Sequence, residues 1–266
     1  MRHLMEYKII SGSVVETRRS YLSVRNTTQP PKGRAKKVAG HTSAKKIAAN
    51  EQERNRQFAR IINANYRAGD GHLVLKYDEI HVPLTYEAAE KDLGDYFKRL
   101  YYQCKKRGLP RPVISWVTAN WSPRRDCPAR LHHHVVMPAA YIELARSLWQ
   151  GGGYSMEELD GRGDHSDLAA YMIANVHAEP GKRNWHTTRN ATRPIITEPE
   201  PVNDIEDVQP EKGAVIKAHD KSTDEEGRVT SVYLRCLLPY RPYVRGGKVV
   251  KPDQRKRGGH KTGGAT

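Results

Sequence analysis

Residues 130–138 read "RLHHHVVMP", three consecutive histidines inside a stretch otherwise patterned as a buried strand. Side chains alternate between the two faces of a strand, so His132 and His134 share one face and His133 takes the other. Their Cα atoms then lie roughly 6.5–7 Å apart. Two imidazoles at that separation can converge on one ion, with bonds of about 2.0–2.1 Å if the ion is zinc. A strand that supplies only two ligands leaves the shell incomplete, as a catalytic ion requires. The plainer reading is three polar residues on a half-exposed strand, bonded to nearby carbonyls.

Outward from this strand the pattern predicts an α+β fold. "HLVLKY" (72–77) and "RPVISWVTANW" (111–121) read as strands, rich in β-branched and aromatic residues. "TYEAAEKDLGDYFKRLYYQCKKRG" (85–108) is the clearest helix: Ala89, Leu93, Tyr96, Phe97, Leu100 and Cys104 recur at three- and four-residue spacing. Thr85 is its expected N-cap. Further helices are expected from about Ser43, over "YIELARSLW" before the Gly151–Gly153 run, and over "HSDLAAYMIANV", with Ser166 as N-cap. The expected architecture is a central antiparallel sheet carrying the His-x-His strand, helices packed on its faces, and a late β-hairpin. Four segments follow: 1–42, N-terminal strands and a basic arm; 43–193, the core; 194–240, a linker and a C-terminal hairpin packing on the core; and 241–266, a basic tail expected to be disordered.

The 266 residues carry a formal net charge of +15, and the pI is about 9.7. Such an excess favours a polyanionic partner, nucleic acid first. No apolar run approaches the roughly 20 residues that span a bilayer. The first residues lack the apolar stretch of a signal peptide. A soluble, intracellular protein without a membrane partner is the expectation. Cys104, Cys127 and Cys236 are far apart and form no C-x-x-C, so neither a zinc ribbon nor a disulfide framework is indicated.

A metal site in a basic protein suggests phosphoryl chemistry. Tyr171, in "DLAAYMIAN", is a candidate nucleophile on a helix. Leu168, Tyr171, Met172, Asn175 and Val176 share a face at helical spacing, so a core tyrosine is the competing reading.

Metal-binding His-x-His on a strand, followed by a helical tyrosine, resembles the HUH endonucleases. More narrowly, the chain resembles the rolling-circle replication initiators of small phages, prophages and plasmids, the group related to the filamentous-phage initiator. The stretches that carry the resemblance are "YKIISGSVVE", "GDGHLVLKYDE", "TYEAAEKDLGDYFKRL", "WVT", "LHHHVVM", "LAAYMI" and "KRNWHTTRN", in that order.

The resemblance implies nicking of single-stranded DNA at a replication origin. His132 and His134 would hold Mg²⁺ or Mn²⁺, and Tyr171 would form a 5′-phosphotyrosine and release a 3′-hydroxyl. Lys182, Arg183 and Arg189 would contact DNA, with Trp185 either beside them or packed in the core. The setting would be the cytoplasm of a bacterial host, with the host helicase and polymerase as partners. No Walker-type phosphate loop is present to supply a fused helicase. Relatives usually have a glutamate just after "VT", where this chain has Ala119, and often a lysine three residues after the tyrosine, where it has Ala174. Asn120, His72, Asp78 and Glu79 are the candidates for a third ligand. These departures keep open an alternative, a DNA-binding protein with impaired catalysis. A relaxase or single-strand transposase would use the same chemistry.

Overall fold

The computed structural model describes residues 2–23, 44–121, 130–174, 176, 184–245 and 248–251. The chain begins with β1 (Arg2–Ser11) and β2 (Val14–Ser23), then α1 (Ala44–Asn65), β3 (Gly71–Lys76) and α2 (Tyr86–Lys106). Next come β4 (Ser115–Trp121), β5 (Arg130–Met137), a 3₁₀ turn leading into α3 (Ile142–Leu148), β6 (Tyr154–Glu158) and α4 (Ser166–Ala174). Short β7 (His186–Thr187), β8 (Ile195–Ile196) and β9 (Glu200–Pro201) precede the long pair β10 (Val215–Thr223) and β11 (Val229–Leu237). β12 (Tyr243–Arg245) and β13 (Lys248–Val250) close the described chain. The class is α+β with antiparallel sheets.

The chain forms two compact units, residues 25–194 and residues 1–24 joined by 195–266. In the first, the strand order is β6-β3-β5-β4-β7, every pair antiparallel. β5 is central, and both of its faces are covered. On one face Leu73, Leu75, Val135 and Met137 meet Leu93, Tyr96, Phe97 and Leu100 of α2. Each such side chain contributes about 1.5–3 kcal/mol by leaving water. α2 starts where the Thr85 hydroxyl accepts from the Ala88 amide at 3.2 Å. On the other face Val117 and Val136 meet Phe58, Ile61 and Ile62 of α1 and Ala169, Met172 and Ile173 of α4.

β6 was not expected from the sequence, because its five residues follow a glycine run and are mostly exposed. Those glycines bring it to β3. Gly152 has φ +142°, and a Cβ there would lie 2.5 Å from the Asp78 amide nitrogen. Only glycine passes that close to a neighbouring strand.

The second unit corrects one expectation. Among the described residues the N-terminal strands and the late hairpin are not separate segments. They share one sheet, ordered β10-β11-β2-β1-β8 with β9 also on β1. β11 pairs with β2, Leu234 opposite Thr17 and Cys236 opposite Val15. The segment expected to be a linker covers this sheet: Val208 packs on Val232, Leu234 and Cys236. Cys104 and Cys236 are buried free thiols. Cys127, residues 24–43 of the basic arm and residues 252–266 of the tail lie outside the described residues.

Candidate active site

The register of three strands gathers the candidate site on one face. On β3, His72 pairs with Val136, Val74 with His134 and Lys76 with His132. β6 adds Glu157 opposite His72. Directly opposed residues of an antiparallel pair point to the same side. His72, Lys76, His132, His134 and Glu157 therefore share one face.

α4 lays Tyr171 against it. The Tyr171 ring centroid is 5.3 Å from that of His134 and 6.3 Å from that of His72, edge-on to both. Asp164 accepts the Ser166 amide and hydroxyl at the start of this helix, so Ser166 is its first residue rather than its cap. Ala169, Met172 and Ile173 take the core side. Tyr171 is 54% exposed and is a rim residue, not a core one. It opens with the histidines into a cleft of about 930 Å³, also lined by Lys76, Arg130, Glu157 and Asp167.

Hydrogen bonds define the protonation of the site. His132 Nδ1 lies 3.0 Å from the Arg130 carbonyl oxygen, which can only accept. Nδ1 carries the proton, and Nε2 presents a lone pair. That Nε2 is 3.2 Å from His134 Nε2, and His134 Nδ1 is 3.0 Å from His72 Nε2. Burial lowers the His134 pKa to about 3, helped by the neighbouring histidines, and the His72 pKa to about 4. Burial also holds His132 below the ordinary histidine range. All three are neutral near pH 7, the form that binds metal.

The pair fits a divalent ion. Two nitrogens each roughly 2.0–2.1 Å from one ion stand about 2.9–3.4 Å apart at octahedral to tetrahedral angles, and the observed gap is 3.2 Å. Were both Nε2 atoms given to an ion, His134 would donate its Nδ1 proton to His72 Nε2. His72 would then be the outer partner that orients a ligand. Its own Nδ1 is then the donor, a buried atom without a hydrogen-bond partner among the described residues. Glu157 stands opposite His72 in the register. Among the described residues no three His, Cys, Asp or Glu side chains converge as a closed shell, so the fit is to two ligands with open positions.

The proposed third ligands are dispersed. Asn120 pairs with Leu131 and so faces away from His132. Asp78 is paired with His81 at 2.7 Å, and Glu79 with Arg130 at 3.9 Å. Ala119 is opposite His132, so the neighbouring position on β4 offers a methyl group and no ligand atom. Glu157, Lys76 and Arg130 were missed by sequence reading. The signal for Lys76 was its strand, since a β3–β5 register puts it beside His132. Arg189 is exposed and does not line the cleft. Lys182 and Arg183 lie outside the described residues. Trp185 is a core residue, stacked on Phe58 at 5.2 Å, its indole N–H donating to the Arg54 carbonyl at 3.2 Å.

His133 points to the opposite face and is fully occupied there. Burial pushes the Tyr77 phenol up and keeps it protonated, and it donates to His133 Nε2 at 2.8 Å. His133 Nδ1 donates to Thr118 Oγ1 at 2.8 Å, and Thr118 donates in turn to the Glu90 carboxylate. Burial holds the His133 pKa near 3, so the ring stays neutral. This chain ties β5 to β3, β4 and α2 at the residue between the two candidate ligands.

No family model, curated protein or solved structure matches the chain. Among the described residues, no helix is long and apolar enough to cross a membrane.

Proposed function

We propose that the chain is a metal-dependent nicking enzyme for single-stranded DNA, acting as a rolling-circle replication initiator. The observation that carries the reading is the edge of Tyr171 against His134 and His72 in one open cleft. His132 and His134 would hold Mg²⁺ or Mn²⁺. Such an ion polarises the bound phosphate and stabilises charge at phosphorus. Tyr171 Oη attacks phosphorus, the bond from phosphorus to the 3′ oxygen breaks, and a 5′-phosphotyrosine and a 3′-hydroxyl result. The phosphodiester energy is kept for rejoining. Asp167 is one helical turn before Tyr171 and lines the same cleft, and it would take the phenolic proton. The leaving 3′ oxygen takes its proton from water. Lys76 and Arg130 face the phosphate backbone.

The expected substrate is a replication origin in a bacterial host cytoplasm, with the host helicase and polymerase acting on the product. Tyr77 also lines the cleft, but its hydroxyl is engaged with His133, so Tyr171 is the tyrosine offered to DNA and one covalent event per site is expected. The test is incubation of random-sequence single-stranded DNA with the full chain and Mn²⁺, then a denaturing gel. A protein–DNA band that disappears with EDTA is expected. Its absence with Mn²⁺ and Mg²⁺ alike, where the chain still binds the DNA, would favour the second reading, a DNA-binding protein with impaired catalysis. Ala119 opposite His132 and Ala174 after Tyr171 are the observations on that side.

A further inference from the structure

The loop between β3 and α2, residues 78–85, has no role in the chemistry above, yet among the described residues of this unit it carries the most exposed aliphatic side chains. Ile80 is 89% exposed and Leu84 98%, with Val82 at 39% between them. The loop is nevertheless anchored at both ends. Its first residue, Asp78, receives the amides of Ile80 and His81 at 3.0 and 2.9 Å on one carboxylate oxygen. The Asp78 amide donates to the Gly151 carbonyl at 2.9 Å. At the far end Thr85 caps α2. The aliphatic side chains are thus held outward on a tethered loop, with Pro83 stiffening its second half.

The loop also stands at the mouth of the cleft. Glu79 reaches Arg130, a lining residue, at 3.9 Å. Four residues of chain, at most about 14 Å, separate Ile80 from Lys76, which is the register partner of His132. The two acids of the loop are already paired, Asp78 with His81 and Glu79 with Arg130. Lys76 and Arg130 at its root are the cations that a phosphate backbone would meet first.

We propose that this loop is a wedge: Ile80 and Leu84 enter a base step where single-stranded DNA held in the cleft becomes duplex. The proposal depends on the DNA-nicking reading above for what fills the cleft. Aliphatic and proline side chains part stacked bases in this way when neighbouring cations hold the backbone. The pairing of an apolar tip with a cationic root favours DNA over an apolar protein groove, which would be served by the tip alone.

The test uses the full chain and a DNA hairpin with a single-stranded arm, carrying 2-aminopurine in the last base pair of the stem. The wild type should raise the 2-aminopurine fluorescence several-fold. The double variant I80S/L84S, altered only at exposed positions, should leave it near the free-DNA level. Both proteins should bind a single-stranded oligothymidine with the same affinity and melt at the same temperature. An equal rise with the variant, or no rise with a wild type that binds the arm, would overturn the wedge and leave the loop as a protein contact. Loss of oligothymidine binding in the variant would overturn it too, making the loop a single-strand contact. If the wild type binds neither DNA, the nicking reading fails along with the wedge.

Discussion

Neighbouring residues of β5 meet opposite fates. His133 faces α2, where Tyr77 and Thr118 satisfy both of its nitrogens and it is fully buried. His132 and His134, one residue to either side, face a cleft of about 930 Å³ that a tyrosine overlooks. The residue type is the same and the backbone is continuous, so the difference comes from strand alternation and from what each face is packed against. A buried imidazole with both nitrogens matched is a structural anchor. Two imidazoles whose Nε2 atoms stand 3.2 Å apart beside an open cleft are a candidate ligand pair. The closed face fixes the pitch of the strand that the open face uses.

The largest effects should come from the open face. Tyr171→Phe removes the nucleophilic oxygen while keeping the ring against His134, so covalent adduct should fall at least about 10³-fold with single-strand affinity within about twofold. A denaturing gel and a fluorescence-anisotropy titration measure the two. His134→Ala removes one ligand and the group that bridges His132 to His72, so metal-dependent cleavage should drop about 10²–10³-fold. His72→Phe, which removes only the orienting partner, should weaken Mn²⁺ affinity about 10–100-fold. Calorimetric titration of the folded chain with Mn²⁺ separates these two variants.

The closed face should respond in stability instead. Tyr77→Phe strips the donor from His133 Nε2 and leaves a buried acceptor unmatched, at a cost of about 1–3 kcal/mol. The urea midpoint should fall, while Mn²⁺ affinity of the folded chain changes little. A matching loss of affinity would mean that the two faces are not independent.

Acid should act on both faces together. His72, His133 and His134 are held near pKa 4, 3 and 3 by burial, below the ordinary 6.5. Between about pH 6.5 and 3 the unfolded chain therefore binds more protons than the folded one. The stability they allow is complete above pH 6.5 and is lost as pH falls through that window. Urea midpoints at pH 7 and pH 5 should show the decline. An unchanged midpoint would place the histidines in a wetter environment. The smallest effect is assigned to Asn120→Ala, which faces away from His132 and His134 and should leave cleavage within about twofold.

The periodicities that define helices and strands were legible in the sequence. α2, with its Thr85 cap and its Leu93, Phe97 and Leu100 stripe, follows from local spacing alone, and so does the division of His132 and His134 from His133. Relations between distant segments were not. Glu157 joins the open face only through β6, a strand hidden behind glycines whose role is close approach to β3. Lys76 matters through a register with His132 that no local pattern specifies. The same limit explains why β11 was not matched to β2, since its partner is some two hundred residues earlier. On α4, spacing offered two ways to orient Tyr171, and packing of Ala169, Met172 and Ile173 selects the one that leaves the phenol at the rim.

The most direct test is to locate the covalent bond. Adduct formed with Mn²⁺ on random-sequence single-stranded DNA would be digested with protease and nuclease, and the nucleotide-bearing peptide sequenced by mass spectrometry. A nucleotide linked through its 5′ phosphate to Tyr171, absent when EDTA is added, is the predicted result. A nucleotide on any other residue, or adduct that forms equally well in EDTA, would contradict the account.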